Sequence, residues 1–256
     1  MSTWLFDLGN TRMKCVELRA DGGLEQVHAL AHADTDVEGA LASVLPGRFE
    51  RAVVASVAGV ELTTDVLDAL TRRTRRITRV RTSAQWGGLR IAYPRPERLG
   101  VDRFLAMLGA QAHALDVLVC GVGTALTLDL LDRDGLHHGG RIAPSPTLMR
   151  EVLHARAAQL PVEGGAYEEF ATDTEDALAS GCEGAAIALV ERSLREARAR
   201  IGRDVTLLLH GGGAHALRAR LADVEWRPDL VLDGLARWTR VDVPATATPL
   251  LQSDAC

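Results

Sequence analysis

The chain has 256 residues, enough for one or two domains with a sizeable core. It is 47% hydrophobic but only 4% aromatic, so the core must be built from Ala, Val, Leu and Ile, which suits buried parallel strands covered by helices, an α/β class. A net charge of -5 gives no long-range attraction for nucleic acid, and the sequence has neither a leader-like start nor about eighteen uninterrupted apolar residues, so no membrane association is expected.

The chain opens with an apolar run at residues 4–8 closed by Gly9 and Asn10, a strand entering a tight turn. Strands at 13–19 and 24–31 follow, joined by Asp21-Gly22-Gly23. A helix at 36–46, a strand at 52–56, a helix at 61–73 and a strand at 77–81 come next, the alternation of an α/β sheet. The basic stretch RRTRRITRVR at 72–81 reads as a solvated helix end running into a surface strand. From 82 to 103 the pattern lapses at Gly87-Gly88, Pro94 and Pro96, leaving a long loop of the kind that carries function. A helix at 104–115 then leads to a strand at 116–120.

At that point the opening repeats. Cys120-Gly121-Val122-Gly123-Thr124 stands where Phe6-Asp7-Leu8-Gly9-Asn10 stood, and a strand (125–131), an Asp134-Gly135 turn and another strand (136–142) follow. Two copies of one unit predict an internally duplicated fold, with domains at 1–112 and 113–256. The second half continues with a helix at 147–159, a polar stretch through Gly165, a long helix at 174–200, a strand at 205–209 entering His210-Gly211-Gly212-Gly213, a helix from Ala214, and a short tail after Pro249.

Several segments carry groups suited to chemistry. In Asp7-Leu8-Gly9-Asn10-Thr11-Arg12-Met13-Lys14, Gly9 permits a turn with outward backbone N–H groups, Asn10 and Thr11 add donors, and Lys14, the only lysine in the chain, adds charge, which is what a phosphate chain needs. Asp7 is placed to hold hydrated magnesium, and a hairpin whose Asp and Asn merely stabilise the turn is an equal reading of the same residues. The Gly121-Val122-Gly123-Thr124 turn would grip phosphates from the other side of a cleft, and Gly211-Gly212 offers a backbone that can lie flat against a nucleotide. Asp102, beside Arg103 at a helix start, is either a cap or a general base. His137-His138 reads as a pair of exposed histidines, Met13, Met107 and Met149 as core filler, and Asp173 or Thr174 as a helix cap. The cysteines Cys15, Cys120, Cys182 and Cys256 form no CxxC pair, so neither disulfides nor zinc are indicated, and a reducing, cytoplasmic setting is expected.

With these residues in view the chain resembles the type III pantothenate kinases from residue 1 to about 240. The resemblance is carried by DLGNTRMK (7–14), YPRPERLGVDR (93–103), GVGTALTLD (121–129), GGRIAPSPTLMR (139–150), DTEDALASG (173–181) and HGGGA (210–214) in that order. It implies duplicated ribonuclease H-like, actin-like ATPase domains with an interdomain cleft, a homodimer, and transfer of the γ-phosphoryl group of Mg-ATP to pantothenate. Matched position by position, it gives ATP to Asp7, Leu8, Gly9, Asn10, Thr11, Arg12, Met13, Lys14 and Thr124. Pantothenate falls to Tyr93, Gly100, Val101, Asp102, Arg103 and Thr174, with Asp102 as the base, which displaces the capping reading.

One position departs from the family. Its second phosphate motif usually reads D-x-G-T, and that Asp is associated with a potassium or ammonium ion. Here the position is Gly121, which has no side-chain ligand, so either the cation is held differently or activation by it has been lost. Two other functions remain open on sequence: an accessory or regulatory protein of the same fold, favoured by Gly121, and a kinase for another small hydroxyl substrate. The long helix at 174–200 is the expected dimer surface.

Overall fold

A computed structural model describes residues 2–31 and 36–240; the tail after Pro249 and Cys256 lie outside the described residues. The first half forms β1 (Thr3–Leu8), β2 (Arg12–Leu18), β3 (His28–Ala31), α1 (Val37–Ala42), β4 (Arg51–Ser56), α2 (Val60–Thr71) and β5 (Arg76–Arg79). The expected loop follows, holding a small hairpin of β6 (Gln85–Trp86) and β7 (Leu89–Arg90), and then α3 (Val101–Ala110). The second half forms β8 (Val117–Val122), β9 (Ala125–Leu131), β10 (His137–Pro144), α4 (Pro146–Arg156), α5 (Thr174–Ile201), β11 (Thr206–His210), α6 (Ala214–Arg218), β12 (Val224–Trp226) and α7 (Leu230–Arg240). The duplication is visible in the sheets, whose strand orders are β3-β2-β1-β4-β5 and β10-β9-β8-β11-β12. In each, the meander is antiparallel and the last two strands run parallel to the central one, as crossover helices require.

Four local expectations are corrected. The strand expected at 24–31 is regular only from His28, with a lone bridge between Leu18 and Leu24. The helix expected at 36–46 ends at Ala42. The helix expected at 104–115 starts at Val101 and stops at Ala110, because a 3-10 turn follows and Ala114 takes a left-handed φ of 49°. Within the long loop, Gly87 and Gly88 adopt φ of 52° and 88°, the two positive values that a two-residue hairpin turn demands.

Strand alternation sorts the core into three layers. Trp4, Phe6 and Leu8 of β1 face outward onto α1 and α2, packing with Leu41, Val66 and Leu70. On the second sheet Leu118, Cys120 and Val122 face outward onto α5 and α6, packing with Ala186, Val190 and Leu217. The inner faces meet in one shared core: Leu5, Val16 and Val53 from the first sheet, Val119, Leu131 and Leu208 from the second, with Phe104 and Leu108 of α3 and Leu232 and Leu235 of α7 between them. The two helices cross tightly, since a Cβ on Gly234 would run into the Leu105 carbonyl and a Cβ on Gly109 into the Leu230 carbonyl. The loop between 82 and 103 reaches the second half, where Trp86 stacks on Trp238 with centroids 4.9 Å apart and Arg90 N–H donates to the Gly135 carbonyl at 2.8 Å.

Candidate active site

Because β1 and β8 both end on the same side of the shared core, their turns open toward one another. The turns close alike: Gly9 N–H donates to the Arg12 carbonyl at 3.0 Å, and Gly123 N–H to the Ala125 carbonyl at 3.0 Å. The glycine run after β11 joins them, with Gly213 N–H donating to the Val122 carbonyl at 3.0 Å and Gly211 at a φ of 98°. The Arg12 guanidinium reaches across from the first turn, 3.4 Å from where a Cβ on Gly212 would stand. Thus the residues expected to hold phosphates are brought together from both halves. Asn10, Thr11, Arg12 and Thr124 are exposed there, whereas Leu8 and Met13 send their side chains into the outer core and offer only backbone. Lys14, opposite Asp7 in the β1–β2 register, also bridges the halves: its Nζ donates to the Pro228 carbonyl at 2.8 Å and to Asp229 at 2.9 Å.

Alternation also turns Asp7 inward, toward the N-terminus of α3. The N-cap of α3 is Gly100, and Asp102 lies in the first turn with its carboxylate folded back over Gly100, where a Cβ would come within 2.5 Å of Oδ1. Burial raises the Asp102 pKa, opposed by backbone N–H groups of Arg103 and of Asp102 itself. Burial, then the nearby Asp102 charge, push the Asp7 carboxyl up to about 7, with Lys14 pulling the other way. The first turn and the Asp102 loop therefore lie within reach of one another, and the Asp102 charge opposes ionisation of Asp7.

Behind Asp102 lies a buried polar network. The Arg103 guanidinium, 6% exposed, donates through Nε and Nη2 to both carboxylate oxygens of Asp129 at 2.8 and 2.6 Å, and its Nη1 reaches the Tyr93 hydroxyl at 3.4 Å. His137 pairs with the same carboxylate at 3.1 Å and stacks on Tyr93 with centroids 5.9 Å apart. This corrects the reading of His137 as exposed: a register shift between His137 and Gly140 turns it into the interior, 1% exposed, while its neighbour His138 pairs with Asp132 at 2.8 Å. Two donors of Arg103 are spent on Asp129 and Nη1 reaches Tyr93, so what remains for a substrate anion is the outer Nη1–Nη2 edge. Val101 is buried in the shared core and contributes backbone alone.

Thr174 is the one expected site residue that is not brought in. It is the exposed first residue of α5, whose cap is Asp173, accepting from the Glu175 and Asp176 N–H groups, and no described contact links Thr174 to the cleft. Sequence reasoning passed over Asp129, His210 and Asp229. Asp129 and His210 gave a signal, as the carboxylate ending the GVGTALTLD segment and the residue opening HGGGA, whereas Asp229 gave none.

Comparison with known proteins places this geometry in a family. A family model described as type III pantothenate kinase matches residues 4–196. A type III pantothenate kinase from Stenotrophomonas maltophilia (strain K279a) is 57% identical over 238 residues, covering 93% of this chain and 97% of that one. The type III pantothenate kinase from Xylella fastidiosa (strain M23) is 54% identical over 241 residues, with 94% and 98% covered. Among solved structures, a Baf family protein from Campylobacter jejuni superposes with a TM-score of 0.58 at 17% identity, covering 91% of this chain and 94% of that one. The component A of (R)-2-hydroxyglutaryl-CoA dehydratase from Acidaminococcus fermentans gives 0.51 at 11%, covering 93% and 96%; both likenesses speak to the fold alone.

Proposed function

The chain belongs to the type III pantothenate kinase family, and on that premise we propose how its cleft carries out the family reaction, transfer of the ATP γ-phosphoryl group to pantothenate at the first step toward coenzyme A. The observation that carries the assignment of residues is the approach of Asp7 to Asp102, two carboxyl groups from distant segments, each raised by burial, with the Asp102 charge raising Asp7 further. A half-buried pair of this kind suits one group that handles a cation and one that handles a proton.

Asp102 is the general base. Its raised pKa makes it a better proton acceptor than a solvated carboxylate, and the backbone donors of the first helical turn hold it in place to take the hydroxyl proton as pantothenate attacks. Gly100, Tyr93 and the free edge of Arg103 line the pantothenate side, with Asp129 and His137 fixing the Arg103 plane from behind. Asp7, Gly9, Asn10, Thr11 and Arg12, with Thr124, Gly211 and Gly212 opposite, hold the triphosphate. Lys14 adds charge from a fixed position rather than as a free arm, since Pro228 and Asp229 restrain it.

The donor set fits magnesium. Among the described residues no group of three or more His, Cys, Asp or Glu is clustered as a metal cage, while one half-buried carboxylate beside the phosphate turns is the mode magnesium favours, completed by water and phosphate oxygens. When bound, Mg²⁺ would be held by Asp7 through water and would neutralise charge on the transferring phosphoryl group. The protein's own part is orientation and proton acceptance, the larger share of catalysis in a reaction with little covalent work for the enzyme.

Measuring pantothenate phosphorylation by Asp102→Asn tests the base assignment. Turnover is expected to fall by about 10²–10⁴ with nucleotide binding kept; wild-type turnover would remove Asp102 from that role. The cytoplasm suits the three buried free thiols Cys15, Cys120 and Cys182. A homodimer is the assembly we favour, on the exposed apolar side chains Ile142 of β10, Val152 and Leu153 of α4 and Phe170 of the loop before α5, in place of the 174–200 helix expected from sequence. Sedimentation equilibrium should return about twice the 27.5 kDa chain mass, and Phe170→Asp should shift it toward the monomer. A wild-type mass of one chain would dismiss the dimer.

A further inference from the structure

The duplication sets Asp7 and Gly121 at equivalent places, each two residues before its turn glycine and each at the end of a central strand. Their flanking residues differ in a compensating way. In the first sheet Asp7 lies between Lys14 of β2 and Ala55 of β4; in the second Gly121 lies between Thr127 of β9 and His210 of β11. The first sheet therefore has a carboxylate in the middle with a small neighbour, and the second has no side chain in the middle with a large neighbour.

The imidazole fills the gap. A Cβ on Gly121 would stand 2.8 Å from His210 Nε2, 3.0 Å from His210 Cε1 and 2.8 Å from Thr127 Oγ1. A side chain at 121 has no room unless His210 moves. What remains at this place is a hydroxyl and an imidazole, and imidazole is a ligand for transition metals, whereas hard cations take carboxylate, carbonyl and water oxygens. Burial, with Lys14 beyond it, pushes the His210 pKa down to about 4, so the ring is uncharged at neutral pH. The nearby charges are already matched: Lys14 is paired with Asp229, and Asp129, the carboxylate on this side, is held by Arg103 and His137.

A potassium or ammonium ion, which the family resemblance attaches to a carboxylate at this position, therefore does not fit. We infer that this protein transfers phosphate without a monovalent cation, His210 occupying the space and Gly121 lacking the ligand. The inference rests on the kinase reading but can fail separately from it.

The test compares the full-length protein in tetramethylammonium, potassium and ammonium chloride at equal ionic strength, with nucleotide supplied as its Tris salt and Mg²⁺ constant. Two readouts are taken: pantothenate turnover, and calorimetric affinity for a non-hydrolysable ATP analogue, which needs no turnover. Both are expected to agree within about twofold across the three salts. A gain of about tenfold or more in either with potassium or ammonium would overturn the inference. Nucleotide binding without ADP release in any salt would count against the kinase reading alone, and the calorimetric comparison would then decide the cation question by itself.

Discussion

At the scale of single residues, Asp7 shows how the cleft trades stability for function. Its carboxyl is held near 7 in the folded protein against an ordinary 3.8, so between those values the folded state binds more protons than the unfolded one. Its contribution to folding is therefore favourable at low pH and lost as pH rises through about 7. His210 works in the opposite sense: pushed down to about 4, it contributes stability above about 6.5 that is lost as pH falls. Above about pH 6.5 Asp7 is the one of the two still titrating, which isolates its effect. Asp7→Asn should raise the melting temperature near pH 7.5 by roughly 2–4 °C, on the order of 1 kcal/mol, while Mg-ATP turnover drops about 10²-fold or more. Differential scanning calorimetry from about pH 6 to 8 checks the sign: the wild-type Tm should decline relative to the variant, and parallel curves would refute the raised carboxyl. The identities of Asp7 and Asp102 were legible in the sequence through the motifs that contain them. Their mutual approach was not, because it depends on where α3 docks. The burial of His137 and the placement of His210 beside Gly121 were equally hidden, the first set by an irregular register within the β9–β10 hairpin and the second by pairing of β8 with β11, far apart in the chain.

At the scale of elements, α3 and α7 carry the contact on which the architecture turns. Their crossing is reciprocal: Leu105 and Leu230 each precede a glycine by four residues, and each leucine carbonyl presses on the other helix's glycine. The obstructing atoms are backbone and cannot swing aside. Gly234→Ala and Gly109→Ala should each lose roughly 1–3 kcal/mol to overpacking, against at most about 1 kcal/mol of gained helix propensity. A net fall in Tm is expected for both, read by thermal denaturation; a rise in either would show that the helices do not approach as described. The same glycine explains what the sequence concealed. Most strands were legible as short apolar runs between turn residues, and the duplicated meander was legible from its repeated glycine turns. But Asp233-Gly234 has the composition of a turn, so the amphipathic segment around it does not announce a helix. Neither does β12, with three half-buried residues, offer a pattern long enough to count. The start of α3 was placed late because Gly100-Val101-Asp102 looks like loop until Val101 is seen entering the shared core.

For the whole molecule, the division at residue 112 that we propose marks the duplication in the chain. It does not mark two separate cores. The inner face of the first sheet, with Leu5, Val16 and Val53, is covered by α3 and by α7, the last described helix of the second half. Further ties cross in the same direction: Lys14 to Asp229 and Pro228, Trp86 to Trp238, and Arg103 to Asp129. The four large aliphatic side chains that α7 buries, Leu230, Val231, Leu232 and Leu235, represent on the order of 6–12 kcal/mol of apolar burial, comparable to the entire net stability of an ordinary domain. Losing them cannot be absorbed locally, because α7 covers the first sheet and packs along α3, which lies in the core the two sheets share. Truncation after Asp229 should therefore abolish the native fold of both halves, not merely free the last helix. Residues 1–112 alone should likewise give no cooperative melt, whereas the full chain should unfold in one transition with equal calorimetric and van't Hoff enthalpies. A fragment of residues 1–112 that melted cooperatively near the full-chain temperature would separate the two cores. It would also leave the facing of Asp7 and Asp102 dependent on α3 alone.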